Sequence, residues 1–455
     1  VLGLTFIVGC QVTQPPTVSA TPTAAVVAAN TIPAVSTEEP TLESVKTAVF
    51  TVTATIVPQP TPTPLPPPEG QIIFLWDSES PPLGYGTEPK QSLYLAQPGK
   101  SLDEWHIQPL LNDLYGLPVT ALSPDQSKLA LMVLEDRDND GTISYGSFKR
   151  GGDAPNLYIY SLSDGSFERI TDDYPSSYYL SWTPDSQQIT YPDGSSLFSY
   201  DLMTQSIQQL SDNYPNGISK VAWSPDGKKL ALDLDTGLLY FFDSETGENV
   251  QVPGELASSP STVVAWSPDS QWLASNIRNR AGLFIVDTEI LASKGVVTTD
   301  FASFPAWSPL EDASLAYTQT EFVGDSIKET ILDLWNIETQ KTTTLQESIK
   351  MSDPLWTPDG KTLAVGLFDE NLSQLTLIEP ETGTSHILLE KQDGITYAPL
   401  TWSPNGIWLL FFNKQEESTG LYVIHRDGGE PYLLLDTTGT SDPYAISWLS
   451  ENKIP

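Results

Sequence analysis

The chain is poor in the residues that most often build small catalytic and metal centres. It has one cysteine, so no disulfide forms within it. Three histidines, His106, His386 and His425, leave little material for a histidine-rich zinc site or a histidine relay. Basic side chains are scarce as well: 22 Lys and Arg stand against 58 Asp and Glu, a net charge of −36. A surface of that sign repels phosphate, which excludes nucleic acid and anionic lipid as partners held by charge. The sequence also lacks a Gly-x-Ser-x-Gly elbow, a Walker loop, a His-Glu-x-x-His helix and a Cys-x-x-Cys pair. What it does have is 39% hydrophobic residues and 12 Trp in 455 positions, enough for a large folded core.

The first ten residues form a short apolar run ending in Gly9-Cys10. The run is far below the ~20 residues that span a bilayer. It reads as the remainder of a signal-peptide core (residues 1–10). Ile7-Val8-Gly9-Cys10 resembles the bacterial lipobox, which implies lipidation at Cys10, removal of residues 1–9, and a mature protein held outside the cytoplasm by a lipid anchor. The alternative is a structural cysteine in an ordinary first strand. Residues 11–68 are rich in Thr, Pro, Ala, Val and Ser, with no charged side chain before Glu38. Seven prolines between Pro58 and Pro68 favour extended polyproline II, so this segment reads as a disordered linker, stiffer toward its end.

From residue 69 to 455 one short pattern recurs. It reads Ser123-Pro124-Asp125, Trp182-Thr183-Pro184-Asp185, Trp223-Ser224-Pro225-Asp226-Gly227 and Trp266-Ser267-Pro268-Asp269. It continues with Trp307-Ser308-Pro309, Trp356-Thr357-Pro358-Asp359-Gly360 and Trp402-Ser403-Pro404-Asn405-Gly406, and ends in a degenerate Trp448-Leu449-Ser450. Successive Trp positions from Trp182 differ by 41, 43, 41, 49, 46 and 46 residues. Proline fixes φ at the second position of a type I turn, and Asp then Gly suit the next two. Each turn joins a strand ending at Trp to an apolar strand such as Lys229-Leu230-Ala231-Leu232, and two further strands follow. A strand repeat of 40–50 residues predicts an all-β fold, a β-propeller of four-stranded blades. Each Trp is expected between neighbouring blades, and these Trp and Asp residues are expected to be structural. Gln71–Trp76 reads as a second strand and Ala445–Trp448 as a first strand. Paired, they would share one blade, close the ring and give eight blades, with seven as the alternative.

These Ser/Thr-Pro-Asp-Gly repeats resemble the TolB-type, WD-like propeller repeats, which also form the propeller of dipeptidyl-peptidase IV-type enzymes. The resemblance covers the chain from about Gly70 onward and implies fold rather than function. One insertion stands out, Asp136-Arg137-Asp138-Asn139-Asp140-Gly141-Thr142. Carboxylates at positions 1, 3 and 5 before a glycine match the start of a calcium loop, with Thr142 offering its carbonyl. Position 12 is Ser147 rather than Glu, so a further ligand such as Glu135 or Asp153 would be needed. The alternative is an acidic inter-strand loop. Residues 1–68 carry three Glu and one Lys, which leaves −34 on the remainder.

Two functions are compatible with this pattern. The first is a non-enzymatic, lipid-anchored propeller that binds a protein, peptide or envelope glycan through one face, with Glu135–Asn156 and Thr318–Thr330 as variable insertions. The second is a propeller-type hydrolase or lyase with carboxylates, and calcium, in the central channel. A cationic ligand in that channel is a further reading of the charge.

Overall fold

A computed structural model describes residues 65, 67–77, 90–136, 154–172, 179–212, 214–253, 261–277, 282–298, 301–310, 314–323, 326–369, 372–415, 418–450 and 454. The chain divides into two units, Val1–Thr63 and Pro64–Pro455. Cys10, nearly all of the expected linker, Asp138, Asp140, Thr142 and Asp153 lie outside the described residues.

The repeated turns show why these sequences form hairpins. In Trp223-Ser224-Pro225-Asp226-Gly227 the Gly227 N–H returns to the Ser224 carbonyl at 2.9 Å, closing a type I turn. Gly227 then takes φ 73°, the left-handed residue that turns such a loop into a bulged hairpin. The Ser224 hydroxyl donates to Asp226 Oδ1 at 2.7 Å and accepts from the Lys229 N–H at 3.0 Å. Thr183 and Thr357 hold Asp185 and Asp359 at 2.6 Å in the same way. Ser267 holds Asp269 likewise. Burial works against the charge of Asp226, but the Ser224 hydroxyl and Lys228 N–H outweigh it and lower its pKa.

Three of these turns place a residue other than glycine in the left-handed region: Gln126 at φ 56°, Ser186 at 61° and Ser270 at 64°. Each uses its side chain to reach the preceding repeat. Ser186 Oγ accepts from the Asp125 N–H and Ser270 Oγ from the Asp226 N–H, both at 3.0 Å. Gln126 Oε1 accepts from the Ser450 N–H at 2.7 Å. These cross-repeat bonds offset the backbone penalty, about 1–2 kcal/mol for an L-residue there.

The described strands are all antiparallel within their sheets, and no helix occurs among the described residues. Five sheets have four strands in sequence order, and a sixth has its first position split around Asp353-Pro354 into Lys350–Met351 and Leu355–Trp356. The remaining sheet has seven strands and two halves. One half orders Tyr444–Leu449, Gln71–Trp76, Lys90–Pro98 and the start of the long strand Trp105–Leu122. The other orders the end of that strand, Lys128–Glu135, Ala154–Ser161 and Phe167–Arg169. The shared strand changes partner at Tyr115, which pairs with Lys90 on one side and Leu134 on the other. The expected pairing of the two ends is therefore present, with Ile72 opposite Trp448 and Ile73 opposite Ser447.

Apolar clusters lie between consecutive sheets and continue across the junction of the ends. Ile73, Leu95, Leu129 and Leu131 pack between the two halves of the seven-stranded sheet. Ile72, Phe74, Leu410 and Val423 join its first half to the sheet beginning at Ile395. Burying each such side chain contributes about 1.5–3 kcal/mol. Trp266, Trp307 and Trp356 sit at these interfaces and donate their indole N–H to the carbonyls of Ala222, Ala265 and Ala306 in the preceding sheet, at 2.9–3.0 Å. Trp182 reaches Ala121 at 2.8 Å, and Trp448 reaches Glu69 at 2.9 Å across the closure. Trp223 bonds the Thr190 hydroxyl instead. The Trp402 indole N–H is buried with no partner.

A second contact locks the closure. Gln71 is fully buried, and its amide pairs twice with the main chain of Ile454: Nε2 donates to the carbonyl at 2.8 Å and Oε1 accepts the N–H at 2.9 Å.

Candidate functional site

Antiparallel order sorts the connections onto two faces of the ring. First-to-second and third-to-fourth connections share one face; second-to-third connections and those between sheets share the other. The first face holds the Pro-Asp turns and the short third-to-fourth turns, in which Asp201 and Asp243 accept main-chain N–H and Thr hydroxyl bonds. Those bonds lower the pKa of both carboxyls. The strands on either side of the longest intervals of sequence have their facing ends on the second face: Trp76 and Lys90, Glu135 and Ala154, Arg169 and Ser181, Gln251 and Ser261. The expected insertion Thr318–Thr330 is also there, but it is not a loop. Its residues pair from Thr318 opposite Leu332 to Val323 opposite Ser326, with one register shift between Glu321 and Phe322, a two-stranded ribbon with Phe322 and Val323 exposed near its tip. Thr318, Thr320, Phe322, Val323, Ile327, Thr330 and Ile331 over that stretch are residue types that favour strand pairing.

The innermost strands are nearly free of charge. Trp-bearing strands of several neighbouring sheets touch one another, which places them around the axis. Over their described lengths they carry Lys220, Lys350 and one carboxyl, Asp353, on the stretch between the two short strands. A channel lined by many carboxylates, expected from the overall charge, is therefore not what these strands form; the acids lie on the outer strands and turns. Asp353 is reached by solvent yet has protein around it, and this desolvation raises its pKa to about 6. His106, His386 and His425 are spread over three sheets. His425 packs edge-on to Trp408, with ring centroids 5.2 Å apart.

On the second face, next to the acidic insertion, lies a pocket of about 350 Å³. Asp113, Tyr115, Glu135, Asp136, Tyr158 and Phe167 line much of it. A bulge shapes one wall. Between Gln91 and Leu93 the partner strand advances from Leu114 to Leu111, and within this extra stretch Asp113 takes φ 57°. The Lys90 ammonium lies 3.0 Å from Asp113 Oδ1 and 5.3 Å from the centroid of Tyr115. Hydrogen bonds to Asp113 and Tyr115 raise the Lys90 pKa. The opposite wall is the stacked pair Tyr158 and Phe167, 4.6 Å between centroids. Burial, and then Glu135, raise the Tyr158 pKa.

Glu135, named with Asp153 as a possible further calcium ligand, has its carboxylate engaged by protein groups. Arg169 Nε and Nη2 bond its two oxygens at 3.0 Å, the Asn156 amide donates at 2.9 Å, and the Tyr158 hydroxyl donates as well. This clamp holds the stem of the insertion to the sheet. Asp136 lines the pocket, while its expected companions Asp138, Asp140 and Thr142 fall outside the described residues. Among the described residues no group of three or more metal-ligating side chains converges.

Sequence reading did not find Lys90, Asp113, Tyr115 or Phe167 as a group. The one available signal was Asn112-Asp113 set between Leu111 and Leu114, since Asn and Asp accept the left-handed region more readily than most residues.

No family model matches the chain. A human intraflagellar transport protein 122 homolog is 23% identical over 215 residues, and the match spans 46% of this chain but only 16% of that protein. Among solved structures, dihydro-heme d1 dehydrogenase NirN in complex with DHE aligns with a TM-score of 0.55 at 13% identity, over 84% of this chain and 76% of that one. Oligogalacturonate lyase in complex with manganese gives 0.47 at 15% identity, over 78% and 97%. TolB from Acinetobacter baumannii gives 0.36 at 15% identity, over 71% and 64%. Identities this low speak to fold alone. The NirN alignment and the sheet topology together make the chain a β-propeller.

Proposed function

We propose that this chain is a lipid-anchored, extracytoplasmic propeller of eight blades that binds a protein, peptide or envelope glycan through its second face. The observation that carries this reading is the segregation of connections. One face repeats the same short turns, whereas the other has the strand ends from which the long insertions start, the ribbon and the aromatic pocket. Six sheets plus two halves of a seventh support the count of eight. The lipobox-like Ile7-Val8-Gly9-Cys10 and the proline-rich segment after it support an anchor and spacer. The rival channel hydrolase finds less support, because two carboxyls flank the bond in most glycosidases and the described innermost strands hold Asp353 alone.

The test is cross-linking of the intact ring to an envelope fraction, with charge reversals on each face. Asp235→Arg and Asp393→Arg on the second face are expected to abolish the cross-linked product, while Glu245→Arg and Glu289→Arg on the first face leave it. The opposite pattern, or equal loss from both pairs, overturns the assignment.

A further inference from the structure

The pocket beside the acidic insertion already contains the elements of a cation site, and one of the chain's own cations is using them. Lys90 is an exposed side chain at the start of the strand Lys90–Pro98, with 54% of its side-chain surface open to solvent. Its ammonium nevertheless sits against a carboxylate and an aromatic face together, Asp113 at 3.0 Å and Tyr115 at 5.3 Å. That pairing is the chemistry by which proteins hold alkylammonium groups. Both partners line the pocket, while Lys90 reaches them from its rim. The other charges facing the pocket are Glu135, held by Arg169, and Asp136. Tyr158 and Phe167 supply an apolar wall for a carbon chain.

We propose that this pocket binds a primary ammonium at the end of an alkyl chain, and that Lys90 is a tethered stand-in which the ligand displaces. The ammonium replaces the Lys90 Nζ between Asp113 and Tyr115, while its methylene chain lies against Tyr158 and Phe167. A lysine side chain of a partner protein and a free polyamine share this chemistry. The inference rests on the second face being the binding face and names what that face selects.

The experiment is ligand-observed NMR titration of the intact chain with n-butylammonium, against n-butanol and a neutral disaccharide as uncharged probes. Butylammonium is expected to bind and both uncharged probes to fail. Lys90→Gln, a surface change, is expected to tighten butylammonium about tenfold by removing the internal competitor. Asp113→Asn keeps a residue that tolerates the left-handed backbone, and Tyr115→Leu removes the ring; each is expected to weaken binding at least fivefold. Rising salt weakens the charged probe alone. Nα-acetyl-lysine methylamide and cadaverine then separate the two sources, by which binds more tightly to Lys90→Gln. Equal binding of butanol, or no tightening in Lys90→Gln, overturns the proposal, as does preference for the disaccharide. If those results come while charge reversal on the second face still abolishes cross-linking, the ammonium reading alone falls. If cross-linking is also indifferent to the face, both fall.

Discussion

Replacing Gln71 with methionine isolates the stability of the ring closure. The side chain is fully buried and makes two hydrogen bonds to the Ile454 main chain, at 2.8 and 2.9 Å. Methionine has similar volume and no polar head, so the change leaves a buried N–H and a buried carbonyl unpaired. Each costs about 1–3 kcal/mol, and better apolar packing returns part of it, for roughly 2–4 kcal/mol net. The unit Pro64–Pro455, melting as one, has an unfolding entropy of about 0.8 kcal/mol per kelvin, so Tm should fall by about 3–5 °C. Differential scanning calorimetry measures this. Removing residues 454–455 should destabilise by a similar amount, and the double change by little more than either alone, because both delete one interaction. Gln71→Glu adds a pH signature. A buried carboxylate keeps the acceptor but faces the Ile454 carbonyl with negative charge, so its pKa rises in the folded state. The stability deficit is then large at pH 7 and shrinks as the group is protonated toward pH 4. Full additivity of Gln71→Met with the truncation, or an unchanged Tm, would refute the clasp.

The indole bonds supply an internal comparison. Trp307→Phe breaks the bond to Ala265 and strands its carbonyl, which should cost about 1–3 kcal/mol more than Trp402→Phe, whose N–H has no partner; urea denaturation of the two variants decides. Asp353 has a raised pKa of about 6, so its contribution is most favourable below the ordinary aspartate value near 4 and is lost as pH rises through 6. Asp353→Asn should therefore raise Tm at pH 7 and leave it unchanged at pH 3.5; equal effects at both would exclude the assignment. Calcium is expected to raise Tm if Asp136, Asp138 and Asp140 hold it, and Asp138→Asn should abolish the rise; the same Tm in calcium and in chelator returns the segment to an acidic loop. Mass spectrometry of membrane-extracted protein should find a lipidated Cys10, and Cys10→Ala should shift the protein to the soluble fraction.

The fold was readable because its information is local and repeated. Ser224, Pro225, Asp226 and Gly227 each have one job within a single turn, and seven copies, the last six of them 41–49 residues apart, leave little room for another architecture. The closure was readable because Gln71–Trp76 and Tyr444–Leu449 each lack the half that the other supplies. The pocket was not, because it depends on a bulge. Moving the partner strand from Leu114 to Leu111 within two residues redirects Asp113 toward Lys90, and no periodicity records such a shift. The partners of Glu135 were hidden for a related reason: it stands beside Asp136 in sequence, while Arg169 and Asn156, which bond it, come from later strands.

The strand Trp105–Leu122 ends one sheet and begins the next without a break, pairing Pro98 opposite Trp105 and Leu129 opposite Leu122. Elsewhere a connection can fray and let one sheet peel from its neighbour. Here neither partner can leave unless the backbone between them extends or unravels. Amides on both sides of Tyr115 should therefore exchange with solvent together, as a single cooperative segment. Stretching force fed in through the N-terminal strand would meet this doubled element early, so mechanical rupture should start at a different seam.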